Sequence, residues 1–151
     1  MKDLRITPIK NGTVIDHVVP GTALKVLELL KIDVSENKEI SIAMWAHSEK
    51  LGHKDIIKVE DMELKPNQVN LLAMLTPNAT ISIIRDFKVV KKFKVELPRE
   101  IEGIVKCENL NCITNQKEPV PSKLLKVRDE PQVYRCYYCG RDQENITANI
   151  I

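Results

Sequence analysis

The chain has 151 residues, 43% of them hydrophobic and 4% aromatic, enough for one ordinary domain or two small ones with cores built mainly from Ile, Leu and Val. Charged residues make up 29%, yet the formal net charge is only +2, a balance that speaks against a general nucleic-acid or membrane binder. No apolar signal region follows Met1, and runs such as Leu71 to Leu75 are far too short to span a bilayer, so a soluble, cytoplasmic protein is expected.

Residues 4–10 and 13–19 are β-rich and flank Asn11-Gly12, a two-residue turn signal that predicts a hairpin. Pro20-Gly21-Thr22 breaks the second strand, with Thr22 as N-cap of a helix over 23–31, whose Ala23, Val26, Leu27 and Leu30 share one face. Strands follow over 39–45 and 53–60, joined by a polar loop from Ala46 to Gly52. A second helix, 66–75, opens on Pro66 and stops at Pro77, and strands over 79–85 and 87–95 close the series. The order strand–helix–strand–strand–helix–strand, with small embellishments, predicts an α+β, ferredoxin-like fold with both helices on one face of an antiparallel sheet. The charged, proline-containing stretch 96–100 marks a boundary, giving domains 1–97 and 98–151. Short strands are expected over 124–127 and 133–136.

All four cysteines fall in the last third, as C-x4-C, a gap of 23 residues, then C-x2-C: Cys107, Cys112, Cys136 and Cys139. Two short loops that each supply two thiolates suit a closed tetrahedral metal site, with zinc or iron both compatible with the spacing and zinc the expected ion. Gly140 follows the last ligand and permits a tight turn that aims amides at sulfur, while Lys106 and Arg135 stand beside ligands, where they can offset the negative site. Disulfides fit poorly with an intracellular chain, and a redox C-x-x-C pair would leave Cys107 and Cys112 unexplained. Four protein ligands leave no open position, so the metal is structural and one per chain, in a small all-β, rubredoxin-like domain.

No phosphate loop, dinucleotide fingerprint or nucleophile turn is present, so no catalytic residue is expected. Asp16 and His17 are adjacent in a strand, where neighbours point to opposite faces, which argues against an acid–base pair. Lys54 and Lys58 flank one apolar strand, and Lys88, Lys91, Lys92 and Lys94 crowd another. These read either as a solvated sheet face or as an anion site.

The segments 12–17 (GTVIDH), 52–60 (GHKDIIKVE), 77–80 (PNAT) and 107–114 (CENLNCIT) decide the matter, because together they closely resemble the regulatory chains of aspartate carbamoyltransferase, and the resemblance runs nearly end to end. It implies a non-catalytic regulatory subunit in pyrimidine biosynthesis. The N-terminal domain would bind the effectors CTP, UTP and ATP, and the zinc domain would dock on the catalytic chain. Two copies of the chain would form a regulatory dimer, and no nucleic acid or membrane would be a partner. By motif position, the base would lie against Ile9, Val14, Ile84 and the backbone around Phe87, and Asp16 and Lys58 would address the ribose. Lys92 and His17 would meet the triphosphate with Lys54 nearby, and Ser82 and Val89 complete the nucleotide-binding set. Asn109, Asn111, Tyr138 and Arg141 are the implied contacts to the catalytic chain. The competing reading is a zinc-ribbon adaptor that grips nucleic-acid phosphates, which a salt-dependent binding assay would separate from the first.

Overall fold

The computed structural model describes residues 9–32, 38–49, 52–117 and 120–150. The chain divides into two compact units, Met1–Glu96 and Leu97–Ile151.

The first unit contains β1 (Gly12–Val18), α1 (Ala23–Leu29), β2 (Ile40–Ser48), β3 (Gly52–Glu60), α2 (Pro66–Leu75), β4 (Thr80–Arg85) and β5 (Lys88–Lys94). Its sheet runs β2-β3-β1-β4-β5, and every neighbouring pair is antiparallel. The first four strands in chain order have the split arrangement expected from the sequence, and β5 adds an outer edge beside β4. Odd-numbered Ile15, Ile57, Val59, Ile81 and Ile83 are buried with Ala23, Val26 and Leu27 of α1 and Leu72, Ala73 and Met74 of α2. Even-numbered residues of β3, of β4 and of β1 as far as Asp16 therefore occupy the opposite face; beyond the bulge in β1, Val18 returns to the core.

Several local expectations are revised. Both edges of β1 are paired, to β3 and to β4, so it cannot form a hairpin with the preceding segment; Ile9 to Asn11 lie outside any strand and residues 4–8 lie outside the described residues. Gly12 instead answers crowding, because at φ +151° a side chain there would collide with the Val59 carbonyl and with Ile9. Thr22 is the N-cap residue of α1 but makes no side-chain cap; its hydroxyl donates to Val19 O at 2.6 Å. The helix's first amide, Ala23 N–H, donates at 3.0 Å to Oδ2 of the fully buried Asp55, whose Oδ1 accepts from Trp45 N–H at 2.9 Å. One carboxylate on β3 thus satisfies both the start of α1 and the bulge in β2 between Ala43 and Ala46. Beyond that bulge β2 stays paired to Gly52, so the expected polar loop from Ala46 is mostly strand. The Gln68 side chain accepts from Lys65 N–H and donates to Leu30 O, both at 2.9 Å, joining the start of α2 to the end of α1.

The second unit has a four-stranded antiparallel sheet in the order β6 (Glu100–Glu102), β7 (Lys123–Arg128), β8 (Val133–Cys136) and β9 (Asp142–Gln143). The strands over 124–127 and 133–136 were legible in the sequence; β6 and β9 are too short to leave a period-two pattern. Ile101, Leu124, Tyr134, Gln143 and Ile146 are its largest fully buried side chains, and Tyr134 O–H donates to Pro98 O at 2.6 Å. Among the described residues no helix is long and apolar enough to cross a membrane.

Candidate functional site

The even-numbered face of the first unit carries three cross-strand rows. Register places Lys58, Val14, Ser82 and Lys92 side by side across four strands. One row towards the start of β1 stand Gly12, Ile84 and Val89, with Ile9 against Gly12. One row the other way stand Asp16, Thr80 and Lys94. Apolar Ile9, Val14, Ile84 and Val89 therefore gather at one end of a face whose other end is charged.

Lys58 is the most unusual group there. It is only 5% exposed, and among the described residues no carboxylate lies within ion-pair distance of its ammonium. Burial holds its pKa below the ordinary 10.5, and the charge of Glu39 offsets this only in part. A buried cation without a contact partner is costly unless an anion or strong acceptor reaches it. Lys54 closes on Asp16, 3.0 Å from Oδ1 and 3.3 Å from Oδ2, so two of the expected ligand residues hold each other.

His17 does not obey strand alternation. It sits at φ +57° in the bulge where β1 shifts register between Ile15 and Val18, its amide donates to Asp16 Oδ1 at 2.6 Å, and its Nδ1 lies 3.4 Å from Thr80 Oγ1. Since Thr80 is the cross-strand partner of Asp16, the bulge turns the ring towards the face that carries Asp16. The expectation of opposite faces is corrected on that ground.

Phe87 lies in the two-residue turn between β4 and β5, where Asp86 and Phe87 have φ of 52° and 63°. This positive-φ pair usually recruits Asn or Gly. Phe87 is 65% exposed, so its ring gains little from packing, and the turn is held instead by Phe87 N–H to Lys10 O at 2.9 Å and Asp86 N–H to Asn11 Oδ1 at 3.2 Å. Ser82 is half-buried between Val14 and Lys92. Lys94, already noted in the lysine-rich last strand, and Thr80, which sequence reasoning gave no role, also stand on this face; the parity of β4 was the available signal for Thr80.

In the second unit, the Sγ atoms of Cys107, Cys112, Cys136 and Cys139 all lie within 4.8 Å of one another. The pairs Cys107–Cys139 and Cys112–Cys136 are 3.7 Å apart, close to the ~3.8 Å edge of a tetrahedron with metal–sulfur bonds of about 2.3 Å. All four cysteines are free, and three are buried. Burial pushes the Cys107 thiol up to about 12 against the Asn109 amide, and burial also raises Cys136 despite amides from Cys139 and Tyr138. Burial works the same way on Cys139, but the Arg141 amide and the side chains of Cys107, Cys136 and Asn109 bring it down to about 7. Backbone amides aimed at buried sulfurs fit thiolates, and thiolates in that setting need a cation. Two side chains add to them: Thr114 O–H donates to Cys112 Sγ at 3.3 Å and Gln143 N–H to Cys107 Sγ at 3.6 Å. Gly140 takes φ +76° as the tight turn demands. Arg135 does not offset the sulfurs as expected; its Nε lies 2.8 Å from Asp142 Oδ1.

The residues expected to meet another chain divide into two kinds. Asn109 braces its own loop, its carbonyl accepting from Cys112 N–H and from Asn115 and its side chain accepting from Asn111 N–H. Asn111, Tyr138 and Arg141 are exposed. Beside them Leu110, Ile113 and Tyr137 are 72%, 51% and 59% exposed, an apolar surface that the sequence signalled only as aliphatic residues next to ligands.

Residues 4–96 match the family model of the aspartate carbamoyltransferase regulatory chain, allosteric domain, and residues 99–149 match that of the same chain's metal binding domain. The aspartate carbamoyltransferase regulatory chain of Pyrococcus abyssi is 49% identical over 99% of this chain and 100% of its own length. That of Pyrobaculum islandicum is 49% identical over 95% of each, and that of Methanothermobacter thermautotrophicus 48% identical over 92% of this chain and 88% of its own.

Proposed function

The chain belongs to the aspartate carbamoyltransferase regulatory-chain family, a non-catalytic subunit with a metal-binding domain, and from that premise we propose that the open sheet face of residues 1–97 is its nucleotide-effector site. The observation that carries this is Lys58, buried with no ion-pair partner among the described residues, in one row with Val14, Ser82 and Lys92. CTP, UTP or ATP would lay its base on the apolar end, against Ile9, Val14, Ile84, Val89 and the Phe87 turn. Asp16 and Lys58 would hold the ribose, and Lys54, Lys92 and His17 would take the phosphates as charge-assisted partners.

Residues 98–151 would use one zinc ion, held by the four thiolates, to fix a docking surface of Asn109, Asn111, Tyr138 and Arg141 against the catalytic chain. Two regulatory chains would pair as a dimer and link catalytic trimers in the cytoplasm. Nucleotides would then bias the trimers between states of different substrate affinity, and substrates must change nucleotide affinity by the same factor. The test mixes the purified zinc-loaded chain with catalytic trimers and titrates CTP. A larger assembly whose aspartate saturation curve moves with CTP is the expected result. Absence of assembly together with a flat CTP response would overturn the reading.

A further inference from the structure

The metal centre has a feature beyond its four ligands. Gln143 is 1% exposed and uses its whole amide. Nε2 donates to Cys107 Sγ at 3.6 Å and to Arg141 O at 3.0 Å, while Oε1 accepts from Glu108 N–H at 2.6 Å. Two acceptors on one side and a donor on the other fix the orientation of the amide, so the N–H towards sulfur follows from the partner set. Glu108 answers in the reverse direction: its Oε1 accepts from Asn145 N–H at 2.8 Å and Glu144 N–H at 3.2 Å. Each side chain therefore holds the backbone of the other's segment. One segment is the loop that opens at Cys107; the other is β9, paired to β8 through Tyr134 and Arg135 just before Cys136.

We propose that Glu108 and Gln143 form a reciprocal clasp that closes the metal site, with Gln143 as a positioning residue that also sets the electron density on the Cys107 thiolate. The proposal rests on the metal centre and on nothing in the nucleotide site. Ligands from loops far apart in sequence can be lost one loop at a time, beginning where a loop is least anchored. The clasp ties the first loop to the strand that leaves the second, so neither thiolate pair can swing away without breaking three backbone–side-chain bonds and uncovering a buried amide. The N–H to Cys107 acts separately. It lowers the energy of the sulfur lone pairs, making that thiolate a weaker electron donor and stabilising it in a buried place.

The test uses the full-length chain reconstituted with cobalt(II) for spectroscopy and with zinc for kinetics. One cobalt per wild-type chain with thiolate-to-metal charge-transfer bands establishes the starting point, and its failure would remove the metal site itself, not the clasp. Gln143→Met keeps volume and removes both N–H groups and the acceptor. It is expected to move the charge-transfer band to lower energy and to weaken metal binding about 10- to 100-fold in chelator competition. Glu108→Ala touches no sulfur, so it is expected to speed zinc transfer to a chelator about fivefold with the cobalt band unmoved. A Gln143→Met protein with wild-type band position and wild-type release overturns the proposal. If Gln143→Met does not fold, the exposed Glu108→Ala variant decides alone, and unchanged release overturns the clasp.

Discussion

The two units are held together by different means. The first buries a continuous aliphatic layer, with Ile15, Ile57, Leu72, Met74 and Ile81 all fully covered. The second, of roughly fifty residues, covers a much smaller set and places Gln143 and three thiols among its most buried groups. A five-stranded sheet with two helices can meet its conformational entropy by apolar burial alone. The smaller unit has buried sulfurs that are out of place until a cation joins them. Coordination therefore stands in for missing core, and each unit should fail under a different insult.

The largest expected effect removes the metal. Cys136→Ser, or strong chelation, should unfold residues 97–151, because structural zinc contributes on the order of 10–16 kcal/mol to small zinc domains. Limited proteolysis should then digest the C-terminal part and spare the N-terminal one, with nucleotide binding kept; loss of both together would break the comparison. Next, Leu72→Ala should destabilise the first unit by about 2–5 kcal/mol in urea, as a large-to-small change at a fully buried site does, and leave the metal titration unmoved.

Smaller changes sharpen the account of the open face. Lys58→Met should lower nucleotide affinity about 10- to 100-fold by calorimetry, the loss of one charge-assisted contact worth ~1.5–3 kcal/mol. The same variant should alter the pH dependence of stability. The folded-state pKa of Lys58 is lowered, so between that value and 10.5 the unfolded chain binds more protons and stability rises with pH. Wild type should gain stability across that alkaline window and Lys58→Met should lack the gain; equal slopes would mean that the ammonium is not desolvated. The smallest effect belongs to Arg85→Ala. Its bonds to Glu63, at 2.8 and 3.1 Å, join groups about half exposed, so the change should stay within ~1 kcal/mol.

Much of this was legible beforehand because it is local and periodic. Both helices followed from apolar spacing and the metal centre from four cysteines in two short loops, while the residues of the open face came from the family resemblance. What stayed hidden depends on partners distant in the chain. Asn11-Gly12 looked like a hairpin turn, but Gly12 is needed for close approach to Val59 and Ile9, while the true two-residue turn, Asp86-Phe87, has no glycine at all. Thr22 looked like the cap of α1, and Asp55, thirty-two residues beyond Ala23, supplies the acceptor. The place of His17 follows from one bulge, which no alternation pattern reveals. Gln143 left no signal, since its burial comes from the loop that Cys107 opens.

The parity of β1, β3 and β4 has an evolutionary consequence. Odd positions such as Ile15, Ile57 and Ile81 are constrained by packing, and even positions such as Val14, Ile56, Ser82 and Ile84 are constrained by whatever lies on the open face. Adjacent residues thus answer to separate selection. If the open face is the effector site proposed above, a lineage could exchange one ligand for another through substitutions at 14, 82 or 84 while every packed contact beneath stays as it was.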